Sequence, residues 1–407
     1  MRYTSRVNFN KMRVLFCHNY YKDRGGEDQV FDYESELFKK NGYEVIKYCK
    51  RSTDIGNILK NFSVFLNSFF SLKTISEIKK IIEEKRPDIA HIHNIFPIIS
   101  PSIYYVLQKN KIPIIQTIHN YRFYCSNGLS LKNDKICNKC EELSFKNVFY
   151  ICNKDKKLYD LLLSLIIYIN RKFKVYNKID YFIAPSKFIK NKLISFGIGR
   201  NKIILRRNFV KKSKEKVDGV KNFKTKYFTF IGRISREKGV IELIKVFKEI
   251  RNVELMVIGD GPLKNTIERI IKRERISNIK ILGFISGEKK DTIISHGIAN
   301  IIPSICYENC PLVLAECLKG GVPVIVNDLG ALSEYIKDEY NGYVYNFNNL
   351  NTLREKILKL YSMKSYELDI MRKNCKVSFE VLFSEKKNFE IIDSLYKKLI
   401  SRKSEES

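Results

Sequence analysis

From residue 12 onward, short apolar runs alternate with longer stretches that place apolar residues at helical spacing. "RVLFCH" reads as a buried strand, and "GGEDQVFDYESELFKKNG" as a helix with Val30, Leu37 and Phe38 on one face and Gly42 as its stop. "YEVIKYC", "IAHIH", "IPIIQTIH" and "YFIAP" are further strands, two of them ending in histidine, and Ser186 opens a helix after the last. The stretch "VKKSKEKVDGVKNFKTK", from about Val210 to Lys226, is charged and poor in apolar residues, as an exposed linker is. A second alternating series follows: "YFTFIGRI", "VELMVIGDG", "IKILGFI", "ANIIPS" and "VPVIVN", with helices expected near Val240, Leu263, Glu288, Pro311 and Ala331. Strands separated by helices of this length require parallel sheets. The expected fold is therefore α/β: two Rossmann-like, doubly wound domains facing across a cleft, with ligands outside the carboxyl ends of the strands. The boundaries read as 1–208, 209–380 and a C-terminal helix with a polar tail, 381–407, packing back on the first domain.

Composition fits this picture: 407 residues, 44% hydrophobic and 29% charged, suffice for two full cores and exclude a disordered chain. The formal net charge of +30 suits nucleic acid, anionic headgroups or phosphorylated substrates, or is a generic basic surface, and cannot choose among them. The most apolar run, "LLLSLIIYI" at Leu161 to Ile169, is about half of the ~20 residues a membrane span needs. The leader "MRYTSRVNFNK" lacks an apolar signal core, which predicts a cytoplasmic protein with Met12 as a second candidate start.

Candidate chemistry gathers at the strand ends. In "IGRISREKG", Gly232 gives a phosphate access to backbone, a helix begins near Gly239, and Arg233 and Lys238 supply cations, as a pyrophosphate site needs; the plain alternative is a solvated charged turn. "IGDGP" puts Gly259 and Gly261 at the same sheet edge. In "PSICYENCPLVLAE", Glu308 falls in a loop, Pro311 in the first turn of a helix, and Glu316 inside it. A carboxylate inside a helix fits the paired hydroxyls of a ribose, and a salt-bridged surface pair is the alternative. Four of the ten cysteines, Cys125, Cys137, Cys140 and Cys152, surround a C-x-x-C core, a spacing open to a structural zinc, buried thiols or redox pairing.

The ordered series "RGGED", "PDIAHIHN", "QTIHNYRFYC", "FIAPSKF", "IGRISREKG", "VIGDGP", "ILGF", "PSICYENCPLVLAE" and "GGVPVI" resembles the retaining glycosyltransferases of family 4, which have the GT-B fold, over roughly residues 12 to 400. The resemblance implies transfer of a sugar from a UDP- or GDP-sugar donor to a glycan or lipid-linked acceptor of bacterial surface polysaccharide such as capsule or lipopolysaccharide. It implies that Glu308 holds the donor sugar and Glu316 the ribose, with Asn309, Cys310, Pro311 and Leu312 in the same donor motif. Arg233 and Lys238 match cations on the diphosphate, Gly25 and Gly26 a loop closing on the donor phosphates, and His119 a histidine near the transferred sugar. No Asp-x-Asp occurs, so no cofactor is expected to be required for catalysis. The cysteine insertion, 125–152, lies outside the catalytic pattern. Rival readings are a nucleic-acid-binding protein, which leaves the order of motifs unexplained, a GT-B phosphorylase, and a non-catalytic homologue, which the intact charged residues oppose. Two apolar, basic-flanked stretches, Ile58 to Lys73 and Leu158 to Lys174, suggest peripheral docking on the inner, anionic face of the membrane.

Overall fold

The computed structural model describes residues 12–21, 24–51, 70–152, 157–210 and 226–405. The chain forms two compact units, one of Met1–Leu129, Asn138–Arg206 and Lys386–Ser407, the other of Ser130–Cys137 and Arg207–Glu385. Most of the charged linker and of the stretch from Ile58 lies outside the described residues.

The first unit runs β1 (Arg13–Tyr20), α1 (Gly26–Lys40), β2 (Glu44–Arg51), α2 (Leu72–Lys85), β3 (Ile89–Ile92), α3 (Ser102–Lys109), β4 (Ile114–Thr117), then, beyond the small hairpin of β5 (Leu131–Lys132) and β6 (Lys135–Ile136), α4 (Lys157–Lys172), β7 (Tyr181–Ala184), α5 (Lys187–Ser195) and β8 (Ile203–Leu205). Its sheet has the order β2-β1-β3-β4-β7-β8, parallel throughout. Chain direction across the sheet reverses between β1 and β3, so the crevice at their carboxyl ends is where a ligand is expected. Helix α1 forms where it was expected because Asp28 accepts the N–H of Gly25 at 2.9 Å, Glu27 and Asp28 occupy its first turn, and Lys39 and Lys40 its last. Ser186 caps α5 through the Ile189 N–H at 3.1 Å.

The second unit runs β9 (Tyr227–Ile231), α6 (Val240–Glu249), β10 (Glu254–Ile258), α7 (Lys264–Arg273), β11 (Ile279–Gly283), α8 (Gly287–His296), β12 (Ala299–Ile302), α9 (Leu312–Lys319), β13 (Val324–Asn327), β14 (Gly342–Tyr345), α10 (Leu350–Ser362) and α11 (Ser365–Leu382). Its parallel order, β11-β10-β9-β12-β13-β14, places the reversal between β9 and β12. Phe228, Phe230, Leu243, Phe247, Leu255 and Val257 form the middle of its core. Two features depart from the sequence reading. The helix expected at Ala331 is a single 3-10 turn, Leu332–Glu334, because Tyr335 is buried with its hydroxyl on the Asn309 carbonyl at 2.7 Å and Glu339 then takes a φ of 63°. The segment "GYVY" after it is a sixth strand.

Helix α12 (Glu385–Glu405) belongs with the first unit. Its Ile392, Leu395, Tyr396, Leu399 and Ile400 join the core of Phe16, Phe31 and Phe38. Each buried aliphatic there contributes about 1.5–3 kcal/mol of transfer free energy. The expected membrane-facing helix α4 also turns Leu163, Ile166 and Ile167 inward, and no described helix is long and apolar enough to cross a membrane.

Candidate active site

In the second unit the predicted loop leaves β9 at Gly232 and makes a tight turn, Arg236–Lys238, before α6. Gly239 has a φ of 71°, and a Cβ there would stand 1.8 Å from the Pro303 carbonyl oxygen. This close approach, with the Ile305 N–H donating to the Glu237 carbonyl at 2.9 Å, fastens the turn to the segment leaving β12. That is how Lys238 meets a residue 70 positions away: its Nζ lies 2.6 Å from Glu308 Oε1, which also accepts the Ser304 hydroxyl at 2.6 Å. Burial works to raise the Glu308 carboxyl, but the Lys238 charge and the hydrogen bonds from Lys238 and Ser304 outweigh it and hold it below the usual range. Burial likewise works to lower Lys238, and Glu308 reverses the sign and keeps it protonated. Arg233 is exposed on the same loop, while Arg236 is engaged by Glu242 at 2.6 Å and by Asp134 of the hairpin at 2.8 Å.

The second glycine loop serves this one. Gly259, at a φ of 143°, would put a Cβ 1.9 Å from the Gly232 carbonyl oxygen, and the Ile234 N–H donates to the Asp260 carbonyl at 2.8 Å. Gly261 faces the Ile234 carbonyl, so in this structure both glycines permit the packing of one loop on the other. Pro311 is the residue before α9 rather than its first turn, and the Cys310 carbonyl accepts the Asn208 amide at 2.9 Å. Leu312 opens the helix and is buried, and Glu316, inside it, is ion-paired with Lys290 of α8 at 2.6 Å. Sequence inspection missed Lys290 and Ser304.

In the first unit a polar cluster lies at the carboxyl ends of β1, β3 and β4. The Asn94 and Asn120 amides donate to the two oxygens of Glu27 at 3.1 and 2.9 Å. His18 Nε2 lies 2.7 Å from Asp28 Oδ1, and His93 Nδ1 lies 2.9 Å from His119 Nε2. Burial, reinforced by the charges of His18 and Arg206, lowers the His119 pKa to about 3, so its imidazole is neutral at physiological pH. A Cβ on Gly25 or Gly26 would stand in open space, so packing does not demand glycine at either. None of Glu27, Asn94 or Asn120 was expected, although the "GGED", "HIHN" and "IHN" steps carried the signal.

Beneath this cluster Glu34, His91 and His93 have metal-ligand spacing. Glu34 is instead bonded to Arg206, and both His91 nitrogens are engaged, by Tyr396 at 2.6 Å and Thr117 at 2.7 Å, so the group is a structural network. The four insertion cysteines form no disulfide. Cys125 and Cys152 hydrogen-bond through their thiols. A structural zinc at these four cysteines rests on their spacing.

Two family descriptions match: "Glycosyltransferase Family 4" over residues 24–214 and "Glycosyl transferases group 1" over residues 211–377. An uncharacterized glycosyltransferase of Methanocaldococcus jannaschii is 29% identical over 86% of this chain and 88% of its own. The UDP-Gal:alpha-D-GlcNAc-diphosphoundecaprenol alpha-1,3-galactosyltransferase of Escherichia coli is 22% identical over 93% and 95%. The crystal structure of a glycosyltransferase from Rickettsia africae superposes with a TM-score of 0.68 at 17% identity, covering 96% of this chain and 99% of that one, a likeness of fold. Since these two descriptions together run from residue 24 to residue 377 and fall on two parallel sheets of this order, the chain belongs to glycosyltransferase family 4 and has the GT-B fold.

Proposed function

We propose that the protein transfers a sugar, with retention of anomeric configuration, from a nucleotide-diphosphate donor to a glycan or lipid-linked acceptor in surface polysaccharide synthesis. The observation that carries this reading is the Lys238–Glu308 pair at the reversal between β9 and β12. The donor named for the Escherichia coli relative is a UDP-sugar, and its acceptor is linked to diphosphoundecaprenol.

In the reaction the bond from the anomeric carbon to the diphosphate oxygen breaks and its electron pair leaves on the diphosphate. An acceptor hydroxyl forms the new bond and gives up its proton, which passes to the departing diphosphate. Lys238, held charged, and Arg233 meet the growing negative charge, an interaction stronger in the transition state than in the ground state. Glu308, held ionised, accepts hydroxyls of the donor sugar, and Glu316 those of the ribose in exchange for Lys290. Gly25 and Gly26 offer bare backbone to donor phosphates. His119, as a neutral imidazole, hydrogen-bonds a sugar hydroxyl.

We also propose peripheral attachment to an anionic membrane. Its support is the exposure of Leu143, Phe145 and Phe149, and of Leu158 and Phe173 at the two ends of α4, on segments that also carry the exposed Lys139, Lys146 and Lys172. The test of the transfer reading is a screen of UDP- and GDP-sugars for turnover, with product anomers followed by NMR. Release of free nucleotide diphosphate with an anomer unlike the donor's would overturn retention. Turnover that depends on inorganic phosphate would favour a phosphorylase, and salt-dependent binding of random DNA without turnover would favour a nucleic-acid-binding protein.

A further inference from the structure

The first unit contains a cavity of about 440 Å3, within the range of small-molecule sites. Its walls are mostly apolar, with Phe96, Phe123, Phe182, Leu193, Phe196 and Ile198 among them. His119 and Asn120 also line it, so it opens onto the polar cluster at the ends of β3 and β4. Three cations line it, Arg122, Arg171 and Lys174, and none of its lining residues is a carboxylate.

The cations differ in how they are satisfied. Burial works to lower Arg122, but the phenols of Tyr21 and Tyr159 and the Glu27 carboxylate reverse this and raise its pKa. At Arg171 burial outweighs the opposing influence of Tyr176, Cys140 and Glu141. Its guanidinium donates to the carbonyls of Cys140 and Glu141, both at 2.6 Å, and lies over the Phe196 ring at 4.5 Å. The Glu141 carboxylate is ion-paired with Lys192 instead, and burial lowers the Arg171 pKa. Lys174 is exposed, with a φ of 50°, at the start of the 3-10 turn Val175–Lys178. From that turn Tyr176 also lines the cavity, its hydroxyl buried and without a hydrogen-bond partner. A half-buried cation held by neutral carbonyls and a buried, unmatched hydroxyl both lack the same thing, an anion with acceptor oxygens.

We propose, building on the glycosyl-transfer reading, that this cavity binds the junction of a lipid-phosphate-linked acceptor. The aromatic walls take the first carbons of the lipid, and Arg171, Lys174 and the Tyr176 hydroxyl take the phosphate. The acceptor sugar is thereby presented to His119 and Asn120. A purely polar glycan would leave the walls wet, and a neutral glycolipid would leave Arg171 and Lys174 facing no anion and the Tyr176 hydroxyl without a partner. Of the two acceptor classes in the functional reading, the cavity therefore selects the lipid-linked one.

Isothermal titration of the whole protein with farnesyl diphosphate, farnesol and inorganic pyrophosphate tests this. Farnesyl diphosphate should bind about tenfold or more tighter than either fragment, since both halves of the site engage only with it. Lys174→Gln and Tyr176→Phe should each weaken farnesyl diphosphate while leaving farnesol nearly unchanged, and Phe196→Ala should weaken both. Arg171→Gln should have the largest effect, but it also frees the carbonyls of Cys140 and Glu141, so the two milder variants decide if it fails to fold. Equal affinity for farnesol and farnesyl diphosphate, or pyrophosphate binding as tightly as either, overturns the proposal. Dihexanoyl phosphatidic acid matching farnesyl diphosphate would assign the cavity to membrane headgroups and overturn its role as an acceptor site. Nucleotide-sugar turnover is followed separately: turnover without farnesyl diphosphate binding defeats the cavity proposal alone, and binding without turnover defeats the transfer reading alone.

Discussion

Lys238 and Glu308, 70 positions apart in the chain, form an ion pair at 2.6 Å because Gly239 lets their two loops pack backbone on backbone. The pair arms both residues for the proposed chemistry: the carboxylate keeps the ammonium charged, and the ammonium keeps the carboxylate ionised despite burial. Lys238→Ala should therefore reduce kcat by about 10²–10³, the cost of removing one preorganised donor. Steady-state kinetics with saturating donor checks this, and a change confined to KM would contradict the role. Gly239→Ala should lower activity as well, by pushing the turn off the Pro303 carbonyl.

The same pair sets a pH window. Glu308 has a folded pKa below its ordinary 4.5, so its contribution to stability is present above that value and is lost as pH falls through the folded pKa. Lys238 has a folded pKa above its ordinary 10.5, so its contribution holds below that value and is lost as pH rises through the folded pKa. The difference in Tm between the wild type and Glu308→Gln should stay flat from about pH 5 to pH 10 and shrink only outside it.

Glu316 is expected to behave differently. A ribose contact is nearly equal in ground and transition states, so Glu316→Gln should raise donor KM with little change in kcat. The structure adds a partner: Lys290 would lose its carboxylate too. Lys290→Met should leave Glu316 more available to the ribose, so donor KM should not rise as it does in Glu316→Gln. Comparing the two variants in one donor titration checks the order.

In the first unit, burial lowers the pKa of His91, His93 and His119, so the unfolded chain binds protons at these histidines that the folded chain does not. Stability should then fall as pH drops below 6.5, each histidine contributing up to about 1.4 kcal/mol per pH unit. Glu27 and Glu34 act in the opposite sense, since burial raises their carboxyls. His91→Gln isolates one histidine: its unfolding free energy in urea should depend less steeply on pH between 6.5 and 5 than that of the wild type.

Glu34 and Arg206 show what the sequence could and could not reveal. The alternation of strands and helices was legible because each buried strand is a run of apolar residues, and the loops with Lys238 and Glu308 could be found because their glycines and charges stand at strand ends. Partners far apart were not legible. Arg206 stands in the sequence as one more cation shortly before the linker, yet its side chain is 1% exposed and bonded to Glu34, 172 positions earlier. Lys290 reads as a surface lysine and is the partner of Glu316. Strand β14 escaped because four residues that begin with a glycine carry too little periodicity, and the backbone of Gly232, which Gly259 must accommodate, is visible only in three dimensions.

The membrane proposal changes most between sequence and structure. Of the stretch Leu158 to Lys174, the residues Leu163, Ile166 and Ile167 are in the core, while Leu158 and Phe173 remain 55% and 69% exposed. Phe145 and Phe149, 53% and 63% exposed, extend that surface: their rings meet at 5.5 Å, and Phe145 lies 5.4 Å from Tyr168 of α4. Aromatic rings at such exposure among lysines suit the headgroup boundary, where each nearby cation adds about 1 kcal/mol on an anionic leaflet. Sedimentation with phosphatidylglycerol vesicles should show binding that weakens as salt rises, and phosphatidylcholine vesicles should bind less. Phe145→Ser with Phe149→Ser should weaken binding at every salt concentration, because it removes the inserted rings, and Lys146→Gln with Lys172→Gln should chiefly flatten the salt dependence. Equal sedimentation with both vesicle types, or none with either at low salt, would return this surface to ordinary solvent.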